Sequence, residues 1–168
     1  MAAETTPSGG PVIIPDINLL LYACDSTSPF HAAASAWWRS CLTGTEPVGL
    51  PQVVVFGFVR LATSGRVFLQ PMTPTEAAGH VRTWLEQPPV QLLEAGPDHV
   101  RQVLGLLEGL GTAGNLVTDA QLAALALDHN AVLHTNDAGF TRFQGLRWFN
   151  PLTATGGGAR RRTRTRQQ

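Results

Sequence analysis

Val12 to Pro15 forms an apolar, partly β-branched run, and Asp16 follows it at once, then Ile17, Asn18, Leu19, Leu20 and Leu21. A short continuous apolar run of this kind predicts a strand buried on both faces. The strand ends at Asp16, and a short helix runs on to Cys24. Further along, Phe30, Ala34, Trp37, Trp38 and Leu42 recur at three- and four-residue spacing, one face of a helix opened by Ser28-Pro29. Pro47 to Leu50 reads as a second strand. The stretch from Pro51 through Val53, Phe56, Val59, Arg60 and Thr63 fits a helix, although Val53-Val54-Val55-Phe56 fits a strand equally well. Thr73-Pro74-Thr75-Glu76 matches a capping box for a helix carrying Ala77, Val81, Trp84 and Leu85. Val90 to Leu93 reads as a third strand. Pro97 opens a helix that Gly111 ends, and Thr118 or a neighbour caps another that runs to about Asn130. Ala131 to Thr135 and Leu146 to Phe149 read as the last two strands.

Strands alternating with helices predict an α/β fold, an α/β/α sandwich with a mostly parallel central sheet of about four to five strands. The domain spans residues 11–154, between a disordered N-terminus at 1–10 and a flexible Gly/Arg-rich basic tail at 155–168. The chain of 168 residues is 43% hydrophobic and 14% charged, enough to bury a core. It contains no transmembrane-length apolar run. The N-terminal stretch has no secretory pattern. A cytoplasmic protein is the expectation.

Charge changes the picture at one end only. The net charge is zero and every basic residue is Arg. Arg160, Arg161, Arg162, Arg164 and Arg166 lie in the tail, which leaves 7 Arg against 12 acids in the body. A basic arm on an acidic body suits a polyanion or an acidic partner surface, or is simply solvated. The absence of Lys excludes a P-loop and disfavours phosphatases that lean on a lysine. Cys24 and Cys41 lack metal or disulfide spacing. Gly109 to Gly114 spells G-x-G-x-x-G, but it follows a helical pattern where a dinucleotide site needs a strand. No histidine pair has metal-ligand spacing; His134 lies in the fourth strand and reads as packing.

The candidate chemistry gathers at strand ends. Asp16 and Asn18 follow the first strand, and Thr135, Asn136 and Asp137 follow the fourth. Asp119 sits at a helix N-terminus eighteen residues before Asp137, one helix plus one strand earlier. Three carboxylates in one cleft repel unless a cation lies between them. A hard ion such as Mg²⁺ or Mn²⁺ would answer that, activating water beside a phosphoryl group. The alternative is that Asp16 and Asp119 cap helices and Asp137 sits in a turn.

Four stretches, PDINLLLYA, LPQVVVFGFVRLAT, GNLVTDAQLAALALDHNAVLHTNDAGF and FQGLRWFNPL, run in order from Pro15 to Leu152. Together they resemble the PIN-domain nucleases, and more narrowly the VapC toxins of type II toxin–antitoxin systems. The resemblance implies a Mg²⁺- or Mn²⁺-dependent endoribonuclease whose cleft an antitoxin protein blocks, with homodimerisation possible. It implies catalytic and metal-binding roles for Asp16, Asp119 and Asp137. It implies substrate-positioning roles for Asn18, Thr135 and Asn136. One departure stands out: where many PIN domains carry a glutamate, this chain has Gly57. An RNA-binding module with weak or no turnover is the alternative this departure leaves open.

Overall fold

The computed structural model describes residues 10–158. The expectations for the N-terminal segment up to residue 9 and for the Arg-rich tail therefore lie outside the described residues.

Five parallel strands and one antiparallel strand form the sheet, in the order β3-β2-β1-β4-β5-β6. They are β1 (Ile13–Pro15), β2 (Val48–Pro51), β3 (Val90–Leu93), β4 (Val132–His134), β5 (Trp148–Asn150) and β6 (Thr155–Gly157). The sequence pattern accounts for the first five. It misses β6, because Thr155 to Gly157 has no apolar side chain to mark it. That stretch, read as the start of a flexible tail, pairs antiparallel with β5. Main-chain hydrogen bonds that need no side-chain pattern hold it there.

Six helices connect and cover the sheet: α1 (Ile17–Cys24), α2 (His31–Thr43), α3 (Gln52–Ala62), α4 (Pro74–Leu85), α5 (His99–Leu110) and α6 (Leu116–Asp128). The ambiguous Val53-Val54-Val55-Phe56 stretch is helical. Val54, Gly57, Phe58 and Ala62 turn inward, which is helical spacing and closes one apolar stripe. The capping box at Thr73 and Glu76 forms with both reciprocal bonds. Gly111 ends α5 in the left-handed conformation at φ 68°, which glycine adopts without steric cost. The last helix starts at Leu116, two residues before the anticipated cap, so Asp119 lies inside its first turn.

β1 is buried throughout, with Ile13, Ile14 and Pro15 all inside. Its neighbours are β2 on one side and β4 on the other, both parallel to it. The chain builds outward from β1 through β2 to β3, then crosses back to place β4 on β1's opposite edge. Between β1 and β4 the winding direction reverses, and a crevice opens at the carboxyl ends of the two strands. Ligands of open α/β sheets bind at such a reversal.

Candidate active site

Asp16 leaves β1 at that crevice. Its N–H donates to the carbonyl of His134 at 2.8 Å, so its backbone continues the pairing that sets Pro15 opposite His134. It occupies the N-cap position of α1, yet its side chain makes no cap hydrogen bond. The carboxylate turns instead to Thr135, whose hydroxyl donates to Asp16 Oδ2 at 2.8 Å. Asp16, at 6% exposure, and Thr135, at 1%, are the buried polar residues of the described chain. A carboxylate is costly to bury unless something compensates its charge. Here one neutral hydroxyl is the side-chain partner.

The electrostatics follow from that placement. Burial pushes the Asp16 carboxyl up from 3.8 to about 6, and the charges of Asp119 and Asp137 push the same way. The Thr135 hydrogen bond and a backbone bond at Ile17 pull it back in part. Asp119, in the first turn of α6, is also raised, by burial first and by Asp137 second, against the opposing charge of Arg142. The charges of the three acids therefore act on one another.

They do not close into a three-carboxylate cage. Among the described residues no group of three or more His, Cys, Asp or Glu side chains is set to hold an ion. Asp137 Oδ1 accepts from the Gly139 N–H at 2.7 Å. That bond caps a 3-10 helix at Ala138–Arg142, an element the sequence pattern does not signal. The turn reading of Asp137 thus describes its side chain, while its charge still reaches the other two acids. Mg²⁺ is commonly held by one or two carboxylates with water in its remaining positions. Asp16 and Asp119 are both raised, and their carboxylate oxygens are the donor type such an ion takes.

The positioning candidates divide. Thr135 is central: besides donating to Asp16, its hydroxyl accepts the Asp137 N–H at 2.9 Å. Asn136 is tied sideways, its Oδ1 accepting from Asn150 Nδ2 at 2.9 Å. Asn18 is exposed in the first turn of α1 and takes no part in the Asp16–Thr135 pair. His134 packs as expected, half-buried, with Nδ1 accepting from Trp37 Nε1 at 3.0 Å. Burial lowers its pKa to about 4, so the ring is neutral near pH 7.

One residue emerges only in three dimensions, and another gains its physical reason there. Arg142 reaches Asp119 electrostatically from the 3-10 helix, and nothing in its local sequence marks it. Gly57 is buried where α3 crosses α1. A Cβ there would collide with Ile17 Cδ1 and lie 3.2 Å from Ile17 Cγ1. Any side chain at this position would have to displace the tip of Ile17.

A family model described as "PIN domain" matches residues 13–146. Ribonuclease VapC33 of Mycobacterium tuberculosis is 49% identical over 141 residues, 84% of this chain and 99% of the relative. Ribonuclease VapC37 of the same species is 39% identical over 138 residues, 82% of this chain and 96% of the relative. VapBC-1 from nontypeable Haemophilus influenzae shares the fold, with a TM-score of 0.60 at 18% identity, covering 83% of this chain and 98% of that one. The chain belongs to the PIN-domain family and, within it, to the VapC ribonucleases.

Proposed function

We propose that this protein is a metal-dependent endoribonuclease, the toxin of a type II toxin–antitoxin pair acting in the cytoplasm, with Asp16, Asp119 and Asp137 as its acidic centre. The observation that carries the reading is Asp16, a buried carboxyl raised to about 6 beside two further acids at the sheet's reversal point. Asp16 and Asp119 would hold a Mg²⁺ or Mn²⁺ ion, with Asp137 acting at longer range. Such an ion supplies an activated water and stabilises charge on a phosphate.

The chain's own groups have separable tasks. The Thr135 hydroxyl holds one Asp16 oxygen, which fixes the carboxylate's direction. Asp137 keeps that hydroxyl oriented through its N–H and keeps the 3-10 helix in place through Oδ1. Arg142 offsets part of the acidic charge next to Asp119. Asn18 and Asn136 flank the cleft, where an RNA backbone would pass. Hydrolysis by water leaves a 5′-phosphate and a 3′-hydroxyl.

A cleft of this acidity invites a basic plug, and the relatives' naming as VapC and VapBC supports an antitoxin as the partner. A homodimer is the proposed assembly. The second reading, an RNA-binding module without turnover, is favoured by Gly57 in place of the glutamate common in the family.

One assay separates the two. Purified protein is incubated with structured RNA in Mg²⁺, Mn²⁺ or EDTA, alongside Asp16→Asn and Asp119→Asn. Metal-dependent cleavage that both substitutions abolish is expected. RNA binding with no cleavage in any metal would establish the binding module instead.

A further inference from the structure

A cleft of about 430 Å³ opens between α1, α3 and α6, within the size range of small-molecule sites. Phe56, Gly57 and Arg60 of α3, Ile17 of α1, and Thr118 and Gln121 of α6 line it. Ile17 and Thr118 are the chain neighbours of Asp16 and Asp119, so the cleft lies one residue along the chain from two of the acids, though no acid lines it. Phe56 and Arg60 are four residues apart, on one face of α3. Phe56 is 66% exposed, an unusual cost for a phenyl ring beside a polar cleft. Arg60 is exposed as well and has no ion-pair partner among the described residues. Between them lies Gly57, buried against the tip of Ile17, which a side chain there would have to displace.

We infer that this cleft is a nucleotide subsite, in which Phe56 stacks on a nucleobase of single-stranded RNA and Arg60 contacts the adjoining phosphate. The assignment rests on the ribonuclease reading above and adds where the strand runs. An exposed aromatic beside a cation is the arrangement with which proteins hold single-stranded nucleic acid, because every base offers a π face. The acids repel a phosphate that no cation screens, so an arginine on the approach to them serves electrostatic complementarity. Thr118 and Gln121 offer hydroxyl and amide groups to the base edge. The groove continues past Gln121 towards His99, giving the strand a path onward.

The test measures binding apart from cleavage. Full-length protein in EDTA is titrated with a fluorescent, unstructured RNA of about a dozen nucleotides, at several salt concentrations, and its mass in solution is recorded. Phe56→Leu should weaken binding at least about fivefold, whereas Phe56→Trp should retain it, because stacking needs an aromatic face. Arg60→Gln should weaken binding and lower the magnitude of the salt slope by about 0.7, one phosphate contact on a single strand. A loss that came only from a less stable α3 C-terminus would leave that slope unchanged. If wild type binds RNA and both Phe56→Leu and Arg60→Gln bind as well with the same slope, the subsite is overturned while the ribonuclease reading stands. If Phe56→Leu keeps RNA affinity and Phe56→Trp changes the mass in solution, Phe56 belongs to a protein interface and the inference fails. If wild type neither binds nor cleaves RNA, both fail.

Discussion

Thr135 and Asp16 lie 119 positions apart in the chain, yet the Thr135 hydroxyl donates to Asp16 Oδ2 at 2.8 Å. The same hydroxyl accepts the Asp137 N–H, so its proton is directed at Asp16. One small side chain thus links the end of β1 to the turn that carries the third acid.

Removing that hydroxyl should cost metal affinity more than fold. Thr135→Val keeps the shape but leaves Asp16 Oδ2 without its donor, and the Asp137 N–H without its acceptor. A roughly 10- to 100-fold loss in metal affinity or activity is expected, the usual range for groups that orient ligands. Thr135→Ser should restore most of it. Isothermal titration with Mn²⁺ checks this, and equal affinities for wild type and Thr135→Val would refute it.

The metal-free protein should show two opposing pH dependences. Asp16 titrates near 6 when folded and near 3.8 when unfolded. The folded state holds the extra proton in that window, so its contribution to stability falls as pH rises from about 4 to about 6. The full loss is about 3 kcal/mol. His134 runs the other way: its pKa drops from 6.5 to about 4 on folding, so stability rises with pH from about 4 to about 6.5. Asp16→Asn removes the first effect alone. In urea titrations with EDTA, Asp16→Asn should be more stable than wild type at pH 7 and gain stability from pH 4 to 6.5. A variant whose profile parallels wild type would contradict the burial of an ionised Asp16.

Gly57→Ala should destabilise the fold by about 1–2 kcal/mol, although alanine favours a helix intrinsically. The new methyl meets Ile17 Cδ1. Ile17→Val removes that atom, so Gly57→Ala added to Ile17→Val should be neutral or stabilising. Thermal melts of the four combinations give the coupling; simple additivity would show that Ile17 is not the obstacle.

An antitoxin that silences the cleft should place an Arg or Lys against Asp16 and Asp119, because a basic side chain there satisfies two raised carboxyls at once. Charge reversal of that residue in the co-purified partner should release RNA cleavage without dissolving the complex. A fully inhibited complex with the reversed charge would place the inhibition elsewhere.

The sequence alone carries the order of the first five strands and the six helices, and the type of all of them except α3. Burial periodicity is written locally: the run before Asp16, the capping box at Thr73 and the left-handed Gly111 each act through near neighbours. It also marks Asp16, Asp119 and Asp137 by their positions at strand and helix ends, which a parallel sheet brings to one edge. What each carboxylate does was decided in three dimensions. The β1–β4 register, Pro15 against His134, brings the Thr135 hydroxyl within reach of Asp16, and no local pattern encodes a contact across 119 residues. Asp137 turns to Gly139 because a 3-10 helix starts there, and such a short element leaves no periodic trace. Arg142 matters only through its approach to Asp119, and Gly57 only through the crossing of α3 over α1. β6 forms by backbone pairing in a stretch of glycines. Each of these depends on which surfaces meet, a property of packing that a linear pattern of apolar and polar residues does not contain.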